Sequence, residues 1–260
     1  MSKVISRDGT PLAYARTGEG EPLILVGGAF STGTAEEPLA NLLAPRFSVV
    51  TYDRRGRGDS GDTAPYAVAR EVEDLAALIE ELGGSASLYG MSSGGALVLR
   101  AAAAGLRAPR IAVYEPPFTV VPGTRAEKAA YTERLNTLLD EGHRGAAVEL
   151  FLSAVGMPAE FVGQMKRAPV WRSFEALAPS LAYDDAVVGD GTVPTDRLAD
   201  VTQPLLVVSG GASPDVMRDA ARLTATSAQD GRHRSLPHQT HDVDPRELAP
   251  VLAEFFAAAA

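Results

Sequence analysis

The sequence predicts an α/β fold: a mostly parallel eight-stranded sheet with helices on both faces and a helical insertion in its second half. Three observations carry this reading. Apolar runs of strand length alternate with helix-length periodic stretches, the pattern of a doubly wound parallel sheet. The central runs are nearly continuous in Val, Ile and Leu, as in strands buried on both faces. The alternation stops between residues 120 and 201, where every periodic stretch is helical.

Two short β-like runs, VIS and PLAYAR, open the chain and are joined at Asp8-Gly9, a hairpin signal. PLILVGG from Pro22 and FSVVTYD from Phe47 read as buried strands, with helical spacing between them over Glu36 to Leu43. Val68 to Leu82 is amphipathic, placing Val72, Leu75, Leu78, Ile79 and Leu82 on one face, and Gly83-Gly84 stops it. SASLYG (strand), GGALVLRAAAAG (helix) and RIAVYE (strand, ended by Pro116-Pro117) continue the alternation. After the insertion come PLLVVSG, a helix from Pro214 to Ala225, the strand RHRSLP and a closing helix from Glu247 to Ala260. Residues 1–119 and 202–260 therefore form the expected core, and 120–201 an all-helical lid over the strand C-termini, where open α/β sheets place ligands. The lid holds the sole tryptophan, Trp171, and the bulky Phe151, Met157, Phe161, Met165 and Phe174. Most of these are expected to form the lid's own small core, with one or two lining a substrate cavity.

Composition bounds the function. Apolar residues make up 45% and charged residues 22% of 260, typical of a globular protein with a sizeable core. A net charge of −9 without a basic patch argues against nucleic acid as a partner. The absence of cysteine removes disulfides, a thiol nucleophile and thiolate metal sites. No apolar stretch approaches the ~20 residues of a membrane span, and the start MSKVISRDGT carries no hydrophobic signal region. The expectation is a cytoplasmic protein acting on a small molecule, with no membrane partner, no metal and no cofactor; the oligomeric state stays open.

Gly90-Met91-Ser92-Ser93-Gly94 matches G-x-S-x-G between a strand and a helix, the context that gives the motif its meaning. A serine there occupies a sharp turn that lifts its hydroxyl clear of the sheet, and glycines two residues to either side allow the close packing. Ser93 is out of frame, since Met91 lies two residues before it. Ser92 is the candidate nucleophile, and the N–H of Ser93 a candidate oxyanion donor.

Four segments together carry a family likeness: Leu25-Val26-Gly27-Gly28-Ala29-Phe30, the run from Tyr52-Asp53-Arg54-Arg55 through Gly56-Arg57-Gly58-Asp59-Ser60, the elbow at Ser92, and the tail Leu236-Pro237-His238-Gln239-Thr240-His241-Asp242. On these the chain resembles the α/β-hydrolase superfamily along essentially its whole length, and most closely its esterase, haloperoxidase-like and epoxide-hydrolase-like branch. The resemblance implies a second oxyanion donor at the Ala29 N–H and a general base at His241, before the final helix. His238, in the same loop, falls where the family often has glycine. His143 reads as a solvated turn residue and His233 as a structural strand residue. Three positions depart from the family pattern: Gly27 and Met91 stand where histidine is common, and Ser213 stands where the acid of the triad is usual.

The acid therefore has two candidates. Asp215 follows Ser213-Pro214, which also reads as a helix start with Ser213 as N-cap and Asp215 favourable to the dipole. Glu115 ends the strand RIAVYE and is held extended by Pro116; some haloalkane dehalogenases keep their acid after that strand. Glu115 is favoured and Asp215 remains the alternative. The expected activity is a serine hydrolase cleaving a small or medium ester, lactone or thioester through an acyl-enzyme. Two alternatives are a lyase or cyclase using Ser92 and His241 as proton carriers, and a binding protein of the same fold.

Overall fold

The computed structural model describes residues 1–120 and 124–258. The reading of a lid over 120–201 and of a closing helix to Ala260 thus extends to 121–123 and 259–260, which lie outside the described residues. β1 (Ser2–Ile5) and β2 (Pro11–Thr17) pair antiparallel around the turn containing Gly9, whose φ of 88° suits glycine. β3 (Glu21–Val26), β4 (Phe47–Tyr52), β5 (Ser87–Met91), β6 (Ile111–Tyr114), β7 (Leu205–Gly210) and β8 (Gly231–Leu236) run parallel to one another, and β2 pairs antiparallel with β4. The sheet order is β1-β2-β4-β3-β5-β6-β7-β8. From β3 the chain moves outward to β4 and then returns to the other side at β5. The order reverses there, and the crevice beyond the C-terminal ends of β3 and β5 is where such sheets bind ligands.

Continuous apolar strands follow from two buried faces. Ile24 and Val26 of β3 pack with Leu88 of β5 and Val113 of β6 beneath α2 (Val68–Glu81), α3 (Ser93–Ala103) and α10 (Asp215–Ser227). Leu23 and Leu25 point the other way, joining Tyr89, Tyr114 and Val208 under α1 (Glu37–Leu43) and α11 (Pro245–Ala257). The helix after β7 starts at Asp215 with Pro214 as its cap residue, one position later than the Ser213 cap read from sequence. Between β6 and β7 the described residues form α4 (Thr124–Asp140), α5 (Arg144–Ala154), α6 (Ala159–Met165), α7 (Val170–Leu177), α8 (Leu181–Val188) and α9 (Thr195–Leu198). The β-structure described in this region is one isolated bridge, Thr119 to Thr192. Among the described residues no helix is long and apolar enough to cross a membrane.

The segment after β4 takes three arginines out of water. Arg54 binds Glu71 through two hydrogen bonds of 2.7 and 2.8 Å, and Arg55 binds Asp74 through two of 2.7 Å. Glu71 and Asp74 lie on the buried face of α2 beside Leu75 and Leu78. Desolvation opposes the charge of Glu71, but the guanidinium groups of Arg54 and Arg57 outweigh it and hold the carboxyl below its usual range. Asp53 orders the same segment by accepting from the Gly33 and Asp59 N–H groups at 2.7 and 2.8 Å.

One carboxyl is half-buried with no such help. Glu36, where a short 3₁₀ turn (Gly33–Glu36) meets α1, packs against Gly27 and has no side-chain partner among the described residues. Loss of water pushes it up to about 7.

These charges make two predictions. Glu71→Ala removes the bidentate partner of buried Arg54, leaving it only the Asp184 oxygen it shares with Arg57, and should cost about 3–5 kcal/mol of unfolding free energy. Glu73→Ala, which removes partly exposed pairs with Arg70 and Arg7, should cost under about 1 kcal/mol. Urea denaturation of both variants checks the contrast, and equal losses would contradict it. For Glu36, the unfolded carboxyl ionises near 4.5 and the folded one near 7. Over that window the folded state alone keeps the proton, so raising the pH destabilises the native protein. Glu36→Gln should therefore gain Tm relative to the parent as pH rises from about 5 to about 8. A Tm difference that does not change with pH would refute it.

Candidate active site

Ser92 lies between β5 and α3 with φ 53° and ψ −122°, a conformation that L-residues rarely adopt. Its N–H donates to the Tyr114 carbonyl at 2.9 Å, and its carbonyl accepts from the Ala96 N–H at 3.1 Å. The strained residue is thus pinned to β6 on one side and to the first turn of α3 on the other. The flanking glycines leave room for nothing larger. A methyl group on Gly90 would lie 2.6 Å from the Gly94 carbonyl oxygen, and one on Gly94 would overlap the Val26 carbonyl. Gly28, in the loop after β3, faces Ser92 directly: a methyl group there would come within 3.0 Å of its Cβ. The sheet therefore brings the Gly28-Ala29 loop and the Ser92-Ser93 turn together at the reversal point.

Glu115 follows β6, also at positive φ (41°), and its side chain is fully enclosed. Its Oε2 lies 2.9 Å from His241 Nδ1, while Oε1 accepts the Gly210 N–H at 2.8 Å. Burial alone would raise this carboxyl, but hydrogen bonds from His241 and Gly210, the nearby Ser213 hydroxyl and the His241 charge hold it below its ordinary value. The histidine loop is fixed from two sides. Tyr114 Oη donates to the Thr240 carbonyl at 2.6 Å, and the Gln239 carbonyl accepts from Ala212 N–H at 2.9 Å. His241 stays 42% exposed. Ser92 Oγ and His241 are not hydrogen-bonded among the described residues; free enzymes often hold such pairs loosely.

The other candidates stand apart. Asp215 is 82% exposed and pairs with Arg218 in its own helix. His238 is exposed on the loop, His143 pairs with Glu141 on the surface, and His233 Nε2 lies 2.9 Å from Ser209 Oγ. Among the described residues no cluster of three or more His, Asp or Glu side chains is placed to hold a metal.

Above the Ala29 loop the helical insertion presents aromatic rings. Phe30 meets Phe151 edge-on at 5.2 Å and Phe174 at 4.7 Å. Trp171, Met157 and Met165 belong to the same cluster, whereas Phe161 is exposed.

Sequence reasoning missed the polar links behind this site. Asp184 of α8 is buried, and its Oδ1 accepts from Arg54 Nη1 (2.8 Å), Arg57 Nη2 (2.7 Å) and the Ser93 hydroxyl (2.8 Å). Arg57 Nη1 donates to the Gly28 carbonyl at 2.6 Å. The clue present in the sequence was three arginines between a buried strand and a helix whose apolar face carries Glu71 and Asp74. Nothing local pointed to Asp184, more than a hundred residues away.

Comparison with known proteins agrees with this architecture. The alpha/beta hydrolase family matches residues 23–251. An alpha/beta hydrolase from Sphaerobacter thermophilus DSM 20745 is 52% identical, with a TM-score of 0.91, 98% of this chain and 100% of that chain being covered. The 2-(acetamidomethylene)succinate hydrolase of Mesorhizobium japonicum is 28% identical over 93% of this chain and 90% of its own length. Polyketide synthase ThaQ of Burkholderia thailandensis is 29% identical over 76% of this chain, which spans only 10% of that much longer protein. With the family match extending over most of its length, from β3 into the last helix, the chain belongs to the alpha/beta hydrolase family.

Proposed function

We propose that this protein is a serine hydrolase that cleaves a small or medium ester, lactone or thioester through an acyl-enzyme. The observation that carries the reading is the 2.9 Å contact between Glu115 and His241 Nδ1, on the same end of the sheet as the strained Ser92 turn. Ser92 Oγ attacks the carbonyl carbon as His241 takes its proton. Glu115 keeps the imidazole in the tautomer whose other nitrogen faces the serine, and stabilises the imidazolium that forms. The Ala29 and Ser93 N–H groups receive the oxyanion. His241 then protonates the leaving alcohol or thiol, and water repeats the sequence on the acyl-enzyme to release the acid. Residues 120–201 serve as the lid, and the ring cluster around Phe30 favours a substrate with an apolar body.

The test uses p-nitrophenyl butyrate turnover and stoichiometric labelling by a fluorophosphonate. Ser92→Ala should abolish labelling and lower kcat by up to about 10⁶. Glu115→Gln should lose about 10⁴, because the imidazole takes the wrong tautomer. Asp215→Asn, removing only an exposed helix pair, should stay within a few-fold of the parent. Retained labelling in Ser92→Ala, or the opposite ranking of the two acid variants, would overturn the assignment.

A further inference from the structure

The charges buried behind the Ser92 turn are more than a plug. The Gly28 carbonyl and the Ala29 N–H belong to one planar trans peptide and point in opposite directions. Whatever fixes the carbonyl therefore aims the N–H. That carbonyl accepts from Arg57 Nη1 at 2.6 Å, with the Ser31 N–H a longer second donor at 3.3 Å. Arg57 is itself fully buried, and Asp184 is its one carboxylate partner among the described residues. Arg54 shares Asp184 Oδ1 through its Nη1 at 2.8 Å but is also engaged bidentately by Glu71, whereas Arg57 depends on Asp184 alone among the described carboxylates. On the other side of the site, Asp184 Oδ1 receives the hydroxyl of Ser93. The Ser92 carbonyl is held by the Ala96 N–H, so the Ser93 N–H projects from the start of α3.

We propose that Asp184 is a positioning residue for the oxyanion hole, acting through Arg57 on the Gly28–Ala29 peptide and through the Ser93 hydroxyl on the first turn of α3. The inference rests on the serine-hydrolase reading above. A single carboxylate from the helical insertion thus touches both halves of the hole without touching substrate, and α8 is coupled to transition-state stabilisation. The arrangement is poorly suited to stability alone. Asp184 Oδ2 and Arg57 Nε are buried without partners among the described residues, and a buried pair is often matched or bettered by apolar residues of similar volume.

The experiment compares the parent, Asp184→Asn and the double variant Arg57→Met/Asp184→Leu, with p-nitrophenyl butyrate as substrate. Active sites are counted by fluorophosphonate labelling at Ser92. Per labelled site, both variants should lose about 10²–10³ in kcat, the scale of one oxyanion donor, with KM within about threefold. Inhibition by an alkyl trifluoromethyl ketone should weaken by a similar factor. The acid limb of the kcat/KM profile should not move, because Glu115 and His241 are untouched. The double variant removes both charges and should recover Tm but not kcat, which separates positioning from folding if Asp184→Asn is unstable. A kcat per labelled site within about threefold of the parent in the folded variants, or a loss confined to KM, overturns the proposal. A parent enzyme that is not labelled at Ser92 removes the hydrolase reading itself, and this inference with it.

Discussion

The rest of the site depends on one backbone constraint: the chain must pass from β5 into α3 through a single residue held at positive φ. Such a conformation costs about 1–3 kcal/mol and persists only where neighbouring structure over-determines it. Here the register supplies that. Met91 pairs with Tyr114, so Ser92 and Glu115 are each the first residue beyond a matched pair of adjacent parallel strands. Both turn at positive φ, and the Ser92 N–H bonds to the Tyr114 carbonyl between them. The same hydrogen-bond ladder that builds the sheet thus sets the relative position of the Ser92 and Glu115 side chains. Glycines at 28, 90 and 94 are the steric condition for this, because each faces backbone or Ser92 at a distance no Cβ tolerates without displacement.

A second layer of constraint comes from charge. Arg54 and Arg57 have no access to water, so each must meet an anion where it stands. Glu71 answers from the core helix α2, and Asp184 answers from the insertion. The insertion is therefore fixed to the core by an obligation that packing alone would not impose. A shift of α8 large enough to break these contacts would leave a buried guanidinium without a counter-ion. This geometry gives the insertion two separate contacts with the site: apolar at Phe30, where it meets the loop after β3, and ionic at Asp184, where it meets Arg57 of the segment after β4.

Which features were legible in the sequence follows from how local their causes are. The central strands were readable because burial on both faces leaves uninterrupted runs such as PLILV and LLVV, and the elbow because its glycines are sequence neighbours of the serine. The helix starting at Asp215 was misplaced by one residue: Pro214 adopts an extended ψ of 148° and caps the helix instead of opening it. Glu36 could not have been singled out, since its isolation arises from packing against Gly27, and a glutamate at a helix start looks solvated in sequence. Asp184 was hidden for a different reason. It sits one turn into an unremarkable helix beside Asp185, which pairs with Lys128 on the neighbouring helix. Only the fold distinguishes the acid that enters the core from the one that remains within the insertion.

The acid of the proposed triad shows how a departure from a family pattern can be compensated by geometry. Ser213 stands where an aspartate would ordinarily approach the histidine from the loop after β7. The carboxylate found against His241 instead comes from the end of β6, one strand closer to the nucleophile. It meets His241 from a backbone turned to φ 41°. The β7 loop still contributes, because the Gly210 N–H donates to Glu115 and the Ser213 hydroxyl favours its charged form. An aspartate at 213 would bring a second anion to the same enclosed space and raise the affinity of one carboxylate for a proton. A small hydroxyl there is what a carboxylate arriving from β6 requires. The change at 213 and the glutamate at 115 are thus two sides of one electrostatic arrangement, in which a single negative charge sits beneath the imidazole.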